Sequence, residues 1–329
     1  MSTLTARNHD NPDGGSRIAE AARRGAARSV SARKRTERMI RGSLFMCAAL
    51  SVVTTLTIIV VLLREAIGFF ETEEATLVDF FFGTTWSPLL GAEKHFGIWP
   101  LVSGTLLVTV IASAFALPVG LVTAIYLSEY AKPRVRAVLK PVLEVLAGVP
   151  TVVFGFFALS IITPGLQTLN NSYFQFGYYN ATSAGLAVGI MILPIACSLS
   201  EDALRAVPRS LRDGAYALGS TRFDVSTRVV VPAALSGVIA AFLLAITRAI
   251  GETMIVALAA GGLATLTWRP WDATQTMTAY MVQIFLGDAP ANGVEYKSSY
   301  AVAFVLFLMT FVLTVIGNAV LRRFREEYD

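Results

Sequence analysis

Long apolar runs alternate with short polar segments along the whole chain, and this alternation predicts a bundle of helices crossing a bilayer. Runs close to the roughly twenty residues that a crossing needs fall at 42–63, 98–127, 142–162, 181–199, 230–260 and 300–321. The expected fold class is an all-α integral membrane protein with six transmembrane helices. The runs at 98–127 and 230–260 are longer than one straight crossing, which predicts tilt or a break. Pro118 is placed to kink the second run, Pro150 and Gly155 interrupt the third, and Pro194 falls late in the fourth.

The polar segment between the fourth and fifth runs, Asp213 to Pro232, reads D-G-A-Y-A-L-G-S-T-R-F-D-V-S-T-R-V-V-V-P. Pro208 is suited to the first position of a short helix, where its missing N–H costs nothing. Gly219 is suited to close that helix in the left-handed conformation. Thr221-Arg222-Phe223-Asp224 reads as a capping box with Asp in place of Glu, starting a second helix. The segment is therefore expected to be a helix–glycine–helix elbow at a membrane surface. Such a compact knob suits a docking partner, although the same pattern also fits an ordinary structured loop.

Composition supports the bilayer. Only 15% of residues are charged and 54% are hydrophobic, with a mean hydropathy of +0.60, whereas soluble domains carry about 25% charged residues. Cys47 and Cys197 both lie in apolar runs, and His9 and His95 are far apart, so neither a disulfide framework nor a metal site is indicated. Lys and Arg crowd the tail up to Arg41, then return at Lys132, Arg134, Arg136 and Lys140, at Arg205, Arg209, Arg212, Arg222 and Arg228, and at Arg322, Arg323 and Arg325. The intervening segments hold few. The alternation places both termini and the elbow in the cytoplasm. The first fifteen residues read as disordered, and 17–41 as a basic helix on anionic lipid. Nucleic-acid binding is the other use of such a run, and the anchor that directly follows argues against it. The resulting division is a tail at 1–41, a first transmembrane helix at 42–63 that is not a removed signal peptide, and an outer loop at 64–97. A core of five further transmembrane helices at 98–322, with the elbow at 205–232, and a short tail at 323–329 complete it.

The outer loops are aromatic: Phe80-Phe81-Phe82 and Trp86, then Tyr173 to Tyr179, then Trp268 and Trp271. They fit an interfacial belt, and also a docking surface for an external protein. Reactive chemistry is sparse. The chain carries no G-x-x-x-x-G-K-[ST] nucleotide loop and no H-E-x-x-H. No cofactor and no enzymatic activity are expected in this chain; if ATP supplies the energy, another subunit binds ATP and Mg.

One feature stands out in the fifth run. Arg248 and Glu252, four residues apart, share a helical face inside the apolar stretch, where each charge is expensive. They fit an internal ion pair that neutralises itself. They equally fit a transient anion site, in which the arginine fork grips an oxyanion and the glutamate occupies it otherwise. Glu144 reads as a further buried carboxylate in the third run.

The elbow resembles the EAA loop of ABC importer permeases, E-A-A-x-x-x-G-x(9)-I-x-L-P, with Asp213, Gly214 and Ala215 standing for E-A-A, Gly219 for the glycine, and Val229, Val231 and Pro232 for I, L and P. R-A-V-P-R-S-L-R-D-G-A-Y-A-L-G (205–219), R-A-I-G-E-T-M (248–254), F-G-I-W-P-L-V-S-G-T-L (96–106) and G-V-P-T-V-V-F-G-F (148–156) resemble the phosphate-specific (Pst) permeases. The long outer loop and G-E-T-M favour the PstC type over PstA. The resemblance implies the type I importer (MetI-like) architecture. It implies a second, PstA-like permease, two PstB-like ATPase subunits docked on the elbow, and an external PstS-like phosphate-binding protein. It also implies that Arg248 and Glu252 lie on the phosphate path. A permease for sulfate or molybdate, or a membrane scaffold or sensor, remains the alternative reading.

Overall fold

The computed structural model describes residues 12–72, 75–88, 94–287, 290 and 293–323, with side chains from residue 37 onward. The chain divides into two compact units, Met1–Val61 and Leu62–Asp329. In the first, helix α1 (Pro12–Phe70) already runs from Pro12, so the disorder expected for the first fifteen residues does not extend over 12–15; residues 1–11 lie outside the described residues. From Met39 to Val61 its large apolar side chains other than Ile59 are exposed, as they are on a helix that faces lipid. Thr54, Thr55 and Thr57 donate to the carbonyls of Leu50, Ser51 and Val53 at 2.8–3.0 Å, so these three hydroxyls are satisfied within the helix.

The second unit is built around helices α3 (Trp99–Ile125) and α7 (Ala181–Ala206). They approach closely because small residues line the contact: Ala112, Ala116 and Gly120 on α3 face Gly185, Gly189 and Ala196 on α7. A methyl group on Gly185 would strike Ile111, and one on Gly120 would press on Ala196. Apolar helices in lipid gain nothing from hydrophobicity against each other, so such close backbone packing drives their association. Both helices continue through their internal prolines, Pro118 and Pro194.

Among the described residues four helical segments are long and apolar enough to cross a membrane unbroken: Glu37–Phe70, Trp99–Tyr130, Ala181–Ala206 and Val294–Arg323. Two further crossings are broken, giving up to six. The expected third run separates into α4 (Pro133–Ala147) and a segment starting with α5 (Thr151–Phe157) and ending with α6 (Thr163–Gln167), bent by 91° at Pro150. The expected fifth run is broken too, as its length predicted. A π-helical turn at Val225–Val230 leads to α10 (Val231–Ala233); the chain bends by 71° into α11 (Leu235–Ile250), breaks at Gly251–Thr253, and resumes as α12 (Met254–Ala259). Glu144 is accordingly not a buried residue in a crossing helix. It is exposed on α4, an amphipathic helix with no buried residue.

The aromatic segment that follows α1 folds inward rather than forming only a belt. Phe80 on α2 (Leu77–Phe82) and Trp86 are buried, in an aromatic cluster with Phe69, Phe96 and Tyr280 whose rings meet edge to face at 4.9–6.4 Å. Strands β1 (Trp86–Ser87) and β2 (His95–Phe96) pair antiparallel beneath it. Phe81 and Phe82 remain exposed. Helix α13 (Met277–Leu286) packs on α14 (Val294–Arg323), and α14 meets α11 where Gly317 makes room for Leu243.

Candidate functional site

The elbow forms as two capped turns. Helix α8 (Arg209–Ala217) starts one residue later than expected, because Pro208 is the cap rather than the first helical residue. Gly219 adopts φ +84°, its N–H donates to the Tyr216 carbonyl at 2.9 Å, and the Ser220 N–H donates to the Ala215 carbonyl at 3.2 Å. This paired closure requires a left-handed residue, which only glycine supplies without strain. Thr221 then caps α9 (Arg222–Asp224): its hydroxyl accepts from the Asp224 N–H at 3.2 Å and donates to the Asp224 carboxylate at 2.6 Å, which holds that carboxyl below its usual range. The Thr221 backbone N–H adds to that lowering, which is the return contact of a capping box with Asp in place of Glu.

The seven EAA-like residues divide between two tasks. Ala215 and Val231 pack on a small core of Leu204, Val207, Val225 and Val230, and Val229 is half-buried beside them. Asp213, Gly214, Gly219 and Pro232 are exposed. Leu218 and Phe223, on either side of Gly219, are 89% and 66% exposed, so the tip of the knob presents apolar side chains to its surroundings.

Sequence reasoning missed what anchors the knob. Arg212 donates from Nη1 to the Val207 carbonyl at 2.6 Å and from Nη2 to the Leu204 carbonyl at 2.7 Å, capping the end of α7. The same guanidinium pairs with Glu129, on the π-turn that ends the crossing begun at Trp99, at 3.1 Å. Nearby, Glu201 on α7 is 1% exposed and meets Arg136 at 2.7 Å and Lys140 at 3.2 Å. Its position just past the apolar run at 181–199, opposite a basic stretch, was the available signal.

The structure brings Arg248 and Glu252 together, with Nη1 2.7 Å from Oε2. They do not share a helical face. Arg248 sits in the last turn of α11, and Glu252 lies in the break after it. The carboxylate is buried, with its side chain 2% exposed, while Arg248 keeps 42% of its side chain accessible. The other Glu252 oxygen accepts the Ile255 N–H at 3.4 Å, and the backbone carbonyl of Glu252 accepts the Thr278 hydroxyl at 2.6 Å. The glutamate is therefore fixed on several sides, and the arginine projects from it. A fixed anion holding a half-open cation can release that cation to another oxyanion without rebuilding the fold. Among the described residues no group of His, Cys, Asp and Glu is arranged to hold a metal.

Residues 116–326 match the family model of the binding-protein-dependent transport system inner membrane component. The chain belongs to that family. This inner membrane component is a multi-pass membrane protein, as its apolar helices require. It is 33% identical over 264 residues to a phosphate transport system permease protein PstC of Xylella fastidiosa, spanning 75% of this chain and 79% of the relative. It is 30% identical over 280 residues to a probable ABC transporter permease protein YqgH of Bacillus subtilis, spanning 84% and 89%. In fold it matches a chain of a bacterial ABC transporter involved in the import of alginate, with a TM-score of 0.59 at 13% identity, covering 86% of this chain and 96% of that one. The importer-permease fold expected from the EAA-like loop is thus the observed one, and the PstC-type resemblance holds over most of the chain.

Proposed function

We propose that this chain is the permease subunit of an ATP-driven phosphate importer, forming part of the translocation pathway and driven by a separate ATPase subunit that holds ATP and Mg. The observation that carries this reading is the Arg248–Glu252 pair at the break between α11 and α12. The guanidinium offers a planar, permanently charged fork that fits a phosphate bidentately. Glu252 neutralises it between transport cycles, so binding stays weak and the ion is passed on rather than trapped. The relative named as a phosphate transport permease supports phosphate as the ion.

The partition of Lys and Arg supports a cytoplasmic position for both termini and for the elbow, in the membrane of a bacterial cell. The apolar tip at Leu218 and Phe223, with Asp213, Gly214, Gly219 and Pro232 around it, is then the surface offered to the ATPase. A PstA-like permease completes the pathway. On the outer side, Phe174 and Trp271 meet edge to face at 5.1 Å, joining two aromatic loops into one surface suited to a PstS-like phosphate-binding protein. The basic stretch before the first crossing suits anionic lipid.

The test is phosphate uptake by cells carrying wild type or Arg248→Gln at matched membrane levels. Uptake is expected to fall by roughly tenfold or more while the ATPase still co-purifies, because a charge-assisted contact is lost from the path. Uptake within about twofold of wild type would return the pair to a structural role. Loss of sulfate or molybdate uptake in its place would reassign the ion.

A further inference from the structure

The elbow end of the molecule contains a cavity of about 690 Å³, within the roughly 300–1,000 Å³ typical of small-molecule sites. Its walls are α4, the end of the α3 crossing and the approach to α8, and they include Arg136, Lys140, Glu144, Arg205, Arg209 and Arg212. Five cations here face four carboxylates, Glu129, Glu144, Glu201 and Asp202. The buried carboxylate of Glu201 serves three of these cations, with Arg136 at 2.7 Å, Lys140 at 3.2 Å and Arg205 only at 3.7 Å. Asp202 assists Lys140 at 2.9 Å, and Glu129 and two carbonyls satisfy Arg212. That leaves a surplus on one side. Among the described residues Arg209 has no hydrogen bond or ion pair, Arg205 is held only by the distant Glu201 contact, and Arg136 has a buried Nε without a hydrogen-bond partner. Glu144 is the one carboxylate on the wall that no cation neutralises.

We propose that this cavity is an anion site distinct from the Arg248–Glu252 pair, and that it takes a phosphate-bearing group against Arg205 and Arg209 with Arg136 behind. Guanidinium groups fit phosphate oxygens in pairs, and the partly enclosed walls screen the attraction less than open solvent does. Glu144 opposes the bound charge and keeps the affinity moderate. Two sources share this chemistry. The exposed apolar side chains of α4, Val138, Val142 and Val145, would bring an anionic phospholipid headgroup to the cavity mouth. Free phosphate released on the elbow side would reach the same place and report its own accumulation to the elbow. The proposal rests on the reading of the chain as an importer permease only for its assembly with an ATPase; the binding itself is read without transport.

The experiment uses the purified importer complex in nanodiscs, comparing wild type with Arg205→Ala/Arg209→Ala and with Glu144→Gln. In one arm, native mass spectrometry counts phosphatidylglycerol retained from mixtures with phosphatidylcholine. In the other, equilibrium binding of radiolabelled orthophosphate is measured in phosphatidylcholine alone, with Arg248→Gln present throughout to remove the pathway pair. The double variant is expected to lose roughly tenfold in at least one arm, and Glu144→Gln to gain severalfold in the same arm. A response in the lipid arm alone identifies a headgroup, and in the orthophosphate arm alone free phosphate; both arms together support a general phosphate site. Unchanged binding in both arms overturns the proposal, as does a fall in affinity with Glu144→Gln. Loss of the ATPase from the double variant with anion binding intact also overturns it, since these arginines would then serve a protein interface. Arg205 and Arg209 are exposed, so their replacement leaves the packed core intact.

Discussion

Arg212 on α8 holds Glu129, at the far end of the crossing that begins at Trp99, with 3.1 Å between Nη2 and Oε1. The same Nη2 donates to the Leu204 carbonyl at 2.7 Å, so one side chain joins the elbow to two membrane helices. Arg212→Ala is expected to loosen the elbow by roughly 2 kcal/mol, the fully buried figure being reduced because both groups keep some exposure. ATP hydrolysis should then proceed with little phosphate uptake. Glu129→Gln keeps an acceptor and should show a smaller loss. The ratio of uptake to hydrolysis in reconstituted vesicles measures both.

The Gly219 backbone is left-handed, and open space surrounds the position where a side chain would start. Strain rather than crowding therefore decides what is tolerated. Gly219→Asn should keep most uptake, since asparagine visits this conformation, whereas Gly219→Val should cost roughly 1–2 kcal/mol and uncouple the elbow. Uptake at matched protein level, with ATPase co-purification, distinguishes them.

Thr278 donates its hydroxyl to the Glu252 carbonyl at 2.6 Å, and both groups are buried. Thr278→Val leaves that carbonyl without its donor, at a cost of roughly 1–3 kcal/mol, and frees the break that positions Glu252. Uptake is expected to fall severalfold with the complex still assembled. Thr278→Ser should restore it; failure of serine to do so would show that the methyl group, not the hydroxyl, is what matters there.

Gly104 on α3 lies directly beneath the Gln275 backbone, and an added methyl group would collide with the Gln275 carbonyl and the Thr274 hydroxyl. Backbone cannot swing aside as a flexible side chain does. Gly104→Ala should destabilise the protein by roughly 1–3 kcal/mol. Gly148→Ala, where the nearest atom would be 3.4 Å away, should be close to neutral. Thermal unfolding of the purified complex in detergent compares the two.

Much of the elbow was legible because capping chemistry is local. Gly219, Thr221 and Asp224 make their decisive bonds within a few residues, so spacing alone predicted them. The Arg248–Glu252 pair was legible for a related reason: a charge in an apolar run needs a partner close in sequence, whether or not the helix between them is continuous. The length of the fifth run foretold tilt or a break, but not its place at Gly251–Thr253, because Thr278, whose hydroxyl supports the Glu252 carbonyl there, is 26 residues further on. Phe80 and Trp86 read as belt aromatics for the same reason, since Phe69, Phe96 and Tyr280, which bury them, come from separate parts of the chain.

By itself the sequence determined the membrane class, the run of apolar segments, the elbow and the Arg248–Glu252 pair of the fifth run, all consequences of composition and short-range spacing. The tertiary structure alone decided how sharply the broken runs bend and where the fifth one breaks, that Glu144 is exposed, that Arg212 and Glu129 anchor the elbow, and that Glu201 gathers cations from another helix. Each of those depends on groups brought together from distant parts of the chain, where burial and pairing are set by packing rather than by neighbours in sequence.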